Sequence, residues 1–173
     1  TGVQTCALPI YPITHKLYVA NDGGIYVSKT GNNGYKSLSM DMGIGQIYKM
    51  GGSALDSRLV LTGFQDNGTS FYDGSRWNRT TGADGFECSY DPFDEDYRYT
   101  SIYYGDVFRS VNMGQPRKIA GNDVNDIDET GNWVTPFTLA KHNSNSMFIG
   151  YYSIWRSDNL KAEKHGDVEW RKI

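Results

Sequence analysis

The sequence predicts an all-β protein in which short antiparallel strands are joined by tight turns. Tyr, Trp and Phe make up 14% of the 173 residues, and Gly occurs 20 times against 5 Pro. Aromatic residues favour strands, and Gly supplies the backbone freedom that tight turns need. No window repeats apolar residues at intervals of three and four over several turns, so the pattern of an amphipathic helix is missing.

A unit of about 40 to 50 residues recurs four times along the chain. Each copy has an apolar run, a short turn and a second run. The second runs end at Ser28, Tyr72, Ser110 and Ser157, which are 44, 38 and 47 residues apart. A period of this length with four strands per unit is typical of a β-propeller blade. We therefore predict a partial propeller of about four consecutive four-stranded antiparallel blades, near residues 11–40, 46–81, 86–120 and 133–173.

The first ten residues, TGVQTCALPI, are similar residue for residue to the translation of a common short-read sequencing adapter. We therefore expect residues 1–10 to be non-native and set them aside from the fold. On this interpretation the chain is an internal fragment of metagenomic origin, and the remaining blades and any leader peptide lie outside it. Cys6 then belongs to the adapter. Cys88 is left as the one native cysteine, for which we expect a buried, inert thiol.

Three segments that follow the repeated strands resemble the Asp-box motif of BNR-type propellers, Ser-x-Asp-x-Gly-x-x-Trp. They read SKTGNNGY, SVNMGQPR and SDN, the last rejoining the motif at VEWRKI. In an Asp-box, Asp and Gly form a turn capped by a side chain, and the aromatic residue packs between blades. The Asp position is held here by Thr30, Asn112 and Asn159. Asparagine can still cap such a turn, whereas threonine does so weakly.

Four further strings, NDGG, GFQDNGT, GADGFECSYDP and NWVTPF, are similar to a large group of secreted bacterial proteins with sortilin-like or xyloglucanase-like propellers. The resemblance covers roughly residues 17–173. It implies export to the bacterial cell surface or beyond. Its relatives include glycoside hydrolases, sialidases and sortilin-type receptors, so the resemblance implies a fold and leaves the activity open.

Blade topology predicts where a binding site would lie. The turn between the second and third strands of a blade emerges at the same end as the link to the next blade, and we call this end the mouth. Carboxylates, amides and tyrosines gather there, a mixture that carbohydrate and peptide sites both use. Asp, Asn and Gly also occur in hairpins for backbone geometry alone, which is the alternative for the acidic and amide members. The predicted binding residues are Asp22, Gln65, Asp66, Asn67, Asp84, Tyr104, Tyr151 and Tyr152.

Two functions of different classes are compatible with this mouth. The first is non-catalytic recognition of a polysaccharide or a protein. The second is a glycoside hydrolase of the xyloglucanase-like kind, acting at the same propeller face. A glycosidase needs two carboxylates flanking the scissile bond. Asp66 and Asp84 are weak catalytic candidates for that pair, and the second carboxylate could equally lie in another blade. Whether the protein is an enzyme therefore stays open.

Composition and residue spacing argue against several other functions and ligands. A formal net charge of −3 and a pI near 5.5 argue against a nucleic-acid partner, and no apolar run reaches the length of a membrane span. A sialidase needs arginines that face its ligand's carboxylate, and none falls in the mouth loops. His15, His142 and His165 lie far apart, and the acidic residues between 122 and 129 lack the spacing of a calcium loop. We predict no metal and no cofactor.

Overall fold

The computed structural model describes residues 10–11, 13, 16–21, 24–29, 34–39 and 45–173. Within these ranges sixteen strands form four four-stranded antiparallel sheets, and each sheet consists of four strands that are consecutive along the chain. The described residues contain no α-helix, only single 3-10 turns at Tyr103–Gly105 and His165–Asp167. No helix in this part of the chain is long and apolar enough to cross a membrane. The predicted all-β class with four consecutive antiparallel sheets is confirmed.

The chain divides into two compact units, residues 1–45 and 46–173. In the first unit, strand β2 (Lys16–Asn21) and strand β3 (Gly24–Lys29) pair along their whole length, from Lys16 opposite Lys29 to Asn21 opposite Gly24. Ile10, the last residue of the adapter-like segment, pairs with Leu17. Strand pairing uses backbone groups, so it does not depend on the origin of the side chains. The strands of this sheet are β1 Ile10–Tyr11, β2 Lys16–Asn21, β3 Gly24–Lys29 and β4 Lys36–Ser37.

The second unit contains the other three sheets, and in each of them the strands hydrogen-bond in chain order. The second sheet comprises β5 Ile47–Gly52, β6 Leu59–Phe64, β7 Gly68–Asp73 and β8 Trp77–Arg79. The third comprises β9 Cys88–Tyr90, β10 Tyr97–Ser101, β11 Val107–Val111 and β12 Arg117–Ala120. The fourth comprises β13 Phe137–Ala140, β14 Asn143–Gly150, β15 Ile154–Ser157 and β16 Arg171–Lys172.

The core of the second unit lies between its sheets. Strand β10 is buried at four successive positions, Arg98 to Ser101, so both of its faces are covered and the in–out alternation of a half-exposed strand is lost. One apolar cluster joins the third sheet to the fourth through residues that include Tyr99, Ile119 and Met147. A second cluster joins the second sheet to the third and contains Cys88. The expected burial of the Cys88 thiol is confirmed.

Polar contacts between the third and fourth sheets reinforce this packing. The indole N–H of Trp170 donates to the Ile119 carbonyl oxygen at 2.8 Å, and the buried Arg109 guanidinium donates to the carbonyl oxygens of Leu160 and Ala162. The Arg109 bonds satisfy backbone acceptors of the long segment between β15 and β16, and Trp170 of the same segment donates to a backbone acceptor of β12. The segment is thereby held against the neighbouring sheet although it contains no strand of its own.

The residues in the predicted Asp position behave differently from one another. The Asn159 side-chain oxygen accepts the backbone N–H of Glu169 at 2.8 Å, and its amide donates to the Asp167 carbonyl oxygen at 2.9 Å. Asn159 therefore caps its own loop. Asn112 does not: its side chain lies against the Asp96 carboxylate. Thr30 lies outside the described residues. The Asp-box assignment stays a prediction.

Candidate functional site

At the mouth of the second unit, the turns between the second and third strands of each sheet contact the links that lead to the next sheet. The backbone N–H of Gly68, the first residue of β7 after the β6–β7 turn, donates to the Ala83 carbonyl oxygen in the following link at 2.6 Å. Gly68 has a φ of +70°, which favours glycine, and a Cβ there would overlap the Thr81 carbonyl group. The turn and the link are therefore packed backbone to backbone. The mouth comprises residues 64–68, 80–87, 102–106, 129–136 and 150–154. Residues 121–128 pack instead on β12 and the β15–β16 segment, where the Asn125 amide donates to the carbonyl oxygens of Ile119 and His165 at 3.0 Å each.

The two carboxylates considered for catalysis lie next to each other in this packed region. Oδ1 of Asp84 accepts the backbone N–H of Asp66 at 2.9 Å. Asp66 itself is exposed and has a φ of 57°, a left-handed conformation that Asp tolerates better than most residues. Asp84 therefore fastens the β6–β7 turn to the link before β9. One Asp84 oxygen therefore has a structural role. This role agrees with the alternative that acidic residues occur in these turns for backbone geometry.

Three aromatic side chains form a surface that we call the aromatic platform: Tyr103, Tyr104 and Trp133. The Tyr103 and Trp133 rings stack with centroids 5.2 Å apart and an interplanar angle of 15°. Tyr104 meets Trp133 edge to face at 5.4 Å and 83°. Both arrangements are favourable for aromatic quadrupoles. Tyr104 is 48% exposed and Trp133 39% exposed, so the platform presents aromatic surface to solvent.

The platform is held by hydrogen bonds between the two loops that carry it. The Tyr104 N–H donates to the Trp133 carbonyl oxygen at 3.4 Å, and the Gly131 N–H donates to the Tyr104 carbonyl oxygen at 3.0 Å. The Tyr151 hydroxyl donates to the Gly105 carbonyl oxygen at 2.7 Å. Tyr104 has a φ of 61°, an uncommon conformation for a bulky residue that persists only where its surroundings hold it. The rings are consequently pre-organised.

Tyr48 connects the platform with the carboxylate pair. Its ring packs on Phe86 at 4.6 Å, and Phe86 in turn meets Trp133 edge to face at 5.9 Å. Burial raises the pKa of the Tyr48 hydroxyl, and the negative charges of Asp84 and Asp66 raise it further, against a lowering effect of a hydrogen bond with Trp133. Tyr48 therefore stays a neutral phenol that lies between the aromatic and acidic parts of the mouth.

The other predicted residues have separate places in the mouth. The Asn67 amide donates to the Gln65 carbonyl oxygen at 3.1 Å, within its own turn. Tyr151 is half-buried and supports the platform turn, so its surface is turned mainly to the protein. Tyr152 is 95% exposed. Asp22 lies outside the described residues.

The acidic segment before β13 is tied down by Glu129. Its carboxylate accepts the Ser153 backbone N–H at 2.8 Å and the Trp155 indole N–H at 3.1 Å, and it pairs with Lys172. The bond from Lys172 is the main cause that lowers the pKa of Glu129 to about 2. Glu129 thus acts as an anchor that fixes the segment carrying Trp133 to the fourth sheet. Nowhere in the described chain do three His, Cys, Asp or Glu side chains gather in a way that could hold a metal ion.

A cavity of about 200 Å³ lies at the end of the fourth sheet opposite to the mouth. Both arginines that line it are already paired: Arg156 and Arg171 contact the two oxygens of Asp158 at 2.7 and 2.9 Å. Two carboxylates, Asp158 and Glu169, line the cavity beside the two arginines, so its formal charges balance. The aromatic platform is the better candidate site because it presents exposed aromatic rings to solvent.

Two platform residues escape prediction from the sequence. Tyr103 precedes the predicted Tyr104, and Trp133 lies in a long link whose acidic residues dominate its composition. The adjacent tyrosines in a short turn and the lone tryptophan just before a strand are signals that could have identified them. Tyr103 and Trp133 stack although they are 30 residues apart in the chain. Local sequence patterns do not predict a contact over that separation.

No protein-family model and no curated protein sequence matches this chain. Solved structures do. The GH74 xyloglucanase from Xanthomonas campestris is similar over 90% of this chain and 27% of its own, with 15% identity and a TM-score of 0.57. An ancestral GH74 enzyme is similar over 99% of this chain and 24% of its own, with 14% identity and a TM-score of 0.56. A chain of a nidogen/laminin complex is similar over 99% of this chain and 76% of its own, with 11% identity and a TM-score of 0.52.

These similarities show the fold. The chain is a β-propeller fragment, as predicted, and it spans about a quarter of the length of the two GH74 proteins. At identities of 15% and below they do not carry an activity with them. One of the neighbours is a protein–protein complex and two are glycoside hydrolases, so the same fold occurs with both of the functions considered above.

Proposed function

We propose that this chain belongs to an exported or cell-surface propeller that recognises a polysaccharide at its mouth without cleaving it. The observation that carries the proposal is the exposed, pre-organised pair of Tyr104 and Trp133. Sugar rings have apolar C–H faces that stack on aromatic rings, while their hydroxyl groups donate to carboxylates and amides. The mouth supplies both kinds of group side by side.

Pre-organisation strengthens this assignment. Ordering a flexible side chain on binding costs about 0.5–1.5 kcal/mol each. Tyr103 and Trp133 are already stacked, and their loops are already hydrogen-bonded, so little of that cost remains. Exposed aromatic groups that are fixed in this way typically belong to interaction sites.

The proposal is tested with an array of plant and microbial polysaccharides probed with the 173-residue chain. Binding should be lost in Trp133→Ala. Trp77→Ala is the matched control, because Trp77 is 54% exposed but lies on β8, outside the platform. Equal loss of binding in both variants would show that the effect comes from lower stability or from non-specific adhesion. Full retention in Trp133→Ala would exclude the platform as the site.

A glycoside hydrolase remains the second candidate, supported by the fold shared with GH74 enzymes and by the adjacency of Asp66 and Asp84. The engagement of Asp84 with a backbone N–H favours the non-catalytic function. Release of new reducing ends from a bound polysaccharide decides between the two. We expect none from the wild-type chain. Release that disappears in Asp66→Asn, with binding retained, would support the hydrolase instead.

A further inference from the structure

The third and fourth sheets carry the same two sequence motifs in the same places. Their third strands contain VFRS at 107–110 and IWRS at 154–157, and RKI follows at 117–119 and again at 171–173. The strand pairing agrees with this match, since Tyr99 lies opposite Arg109 and Phe148 lies opposite Arg156. Residues of the third sheet therefore have identifiable counterparts in the fourth.

These counterparts differ in burial. Val107 and Ile119 of the third sheet are 1% and 0% exposed, because the fourth sheet packs on them. Their counterparts in the fourth sheet, Ile154 and Ile173, are 53% and 62% exposed. The same motif thus builds a covered face in one sheet and an exposed apolar face in the other, and such exposed faces are typical of interaction sites.

The exposed face of the fourth sheet is the one turned away from the third sheet. Trp155 packs in the apolar cluster between these two sheets. Alternate residues of a strand point to opposite faces, so its neighbours Ile154 and Arg156 lie on the far face. We call this face the open face, and its members are Phe148, Ile154, Arg156 and Ile173.

In the third sheet, the arginine of the motif binds the sheet that follows. Nη1 of the buried Arg109 donates to the carbonyl oxygens of Leu160 and Ala162, in the segment after β15. Leu160 is fully buried in the cluster between the two sheets. The segment after the third strand of one sheet is therefore the part that the arginine of the preceding sheet recognises.

Arg156 is free to make the same kind of contact. Its Nε and Nη2 bind the Asp158 carboxylate at 2.9 and 2.7 Å, so Nη1, the group that Arg109 uses, takes no part in this pair. The cavity of about 200 Å³ lies beside Arg156 and is also lined by Trp170 and Arg171. It provides space where a segment equivalent to the one that carries Leu160 would enter.

The first sheet of the chain has an apolar face of the kind that the open face requires. Three of its side chains occupy the register positions of the three that pack the fourth sheet on the third. The former are Leu17, Val19 and Tyr26, and the latter are Met147, Ile149 and Trp155. The segment after β3 reads TGNNGY between Lys29 and Lys36. It carries no charge, so it offers backbone carbonyl oxygens to an arginine without opposing its approach.

We propose that the open face binds the first sheet of a second copy of this chain, so that copies associate head to tail. Arg156 donates there to backbone carbonyl oxygens of the partner copy's segment after β3, as Arg109 does to the segment after β15 within one chain. Such a contact joins two different surfaces of the same chain and is therefore heterologous. It lies on the sheets and is independent of ligand recognition at the mouth.

Light scattering after size-exclusion chromatography tests the association. The mean mass of the wild-type chain should rise above that of one chain as its concentration increases. Ile154→Glu should raise the dissociation constant at least about tenfold, because a carboxylate buried in an apolar contact without a partner is strongly disfavoured. Leu55→Glu is the matched control, because Leu55 is 57% exposed but lies between β5 and β6 of the second sheet. This control should associate like the wild-type chain.

Arg156→Lys separates the specific contact from general apolar adhesion. Lysine keeps the positive charge but lacks the planar guanidinium that reaches two carbonyl oxygens, so the dissociation constant should rise by about threefold to tenfold. Association as tight as that of the wild-type chain in Arg156→Lys would overturn the proposed contact. Equal weakening in Ile154→Glu and Leu55→Glu would show an effect of net charge alone and would overturn the open face as the interface.

A mixture of two variants tests the head-to-tail arrangement. Ile154→Glu retains the first-sheet face, and Val19→Glu retains the open face, which belongs to the other compact unit. Each variant alone should stay monomeric, and the mixture should form a complex with one copy of each. Association of Val19→Glu alone, without a complex in the mixture, would show that two open faces pack on each other and would overturn the arrangement. A wild-type chain that is monomeric at every concentration would overturn the proposal and leave polysaccharide recognition intact.

Discussion

The hydroxyl of Tyr151 and the carbonyl oxygen of Gly105 form a 2.7 Å hydrogen bond that joins the fourth sheet to the turn carrying Tyr104. Gly105 is buried, with a φ of +83°. The bond thus satisfies a backbone acceptor next to a strained tyrosine, and it ties the shape of the aromatic platform to the packing between two sheets.

Substitution of Gly105 should disturb the platform and the fold together. In Gly105→Ala the added Cβ would overlap the Tyr151 ring, and the positive φ disfavours any Cβ. We expect a loss of about 1–3 kcal/mol in the free energy of unfolding, measured by urea denaturation. Gly166→Ala is the control, because no atom lies within 4 Å of its added Cβ. A Gly105→Ala variant as stable as this control would mean that the turn has a different conformation.

The hydrogen bond itself can be removed without changing the ring. Tyr151→Phe should cost about 1–3 kcal/mol, because it leaves the Gly105 carbonyl oxygen buried without its partner. It should also weaken ligand binding less than Trp133→Ala does, since Tyr151 positions the platform and is not part of it. Loss of binding as complete as in Trp133→Ala, at unchanged stability, would instead identify Tyr151 as a direct contact.

The loop held by Asn159 provides a test of the Asp-box interpretation. Asn159→Ala removes the bonds to Glu169 and Asp167 and should destabilise the fold by about 1–2 kcal/mol. Asn159→Asp keeps the acceptor for the Glu169 N–H and should cost less. Thermal denaturation of the wild-type chain, Asn159→Ala and Asn159→Asp ranks their stabilities. If Asn159→Asp were the least stable, the Asp-box comparison would be inappropriate for this loop.

Acid stability should depend on Glu129. Its pKa is about 2 in the folded protein against a usual value of 4.5, so the unfolded state binds protons first as the pH falls. The stabilisation is therefore complete above pH 4.5 and is lost progressively between pH 4.5 and 2. In Glu129→Gln the urea midpoint should be lower at pH 7 and should fall less steeply across this window. Parallel wild-type and variant curves would show that the anchor is not formed.

The Cys88 thiol should be unreactive in the native protein. Burial raises its pKa to about 11, so the thiolate that reacts with disulfide reagents is scarce at pH 8. In a Cys6→Ser background, labelling should be at least about a hundredfold slower than for an unfolded thiol. Addition of urea should restore rapid labelling. Fast labelling without urea would indicate that the β5–β9 contact opens readily.

The repeats could be predicted from the sequence because each sheet consists of strands that are neighbours along the chain. Hairpins such as β6–β7, with Phe64 opposite Gly68, are local structures with turn residues at fixed places. The capping role of Asn159 is local as well. Asn112 differs because Asp96, a residue of another loop, competes for its side chain.

The platform could not be predicted, since it is formed by long-range contacts. Tyr103 and Trp133 come together only when the link between the third and fourth sheets folds back over the β10–β11 turn. That link has no strand periodicity, and acidic residues dominate its composition. Tyr151, a predicted binding residue, is half-buried because the Gly105 turn approaches it closely.

We expect a bound polysaccharide to lie on the aromatic platform. Oxidation of the indole rings by N-bromosuccinimide, located by mass spectrometry, tests it most directly when carried out with and without a saturating concentration of the array-positive glycan. We expect the glycan to protect Trp133 from oxidation and to leave the exposed Trp77 as reactive as before. Oxidation of Trp133 at the same rate in the presence and absence of the bound glycan would contradict it.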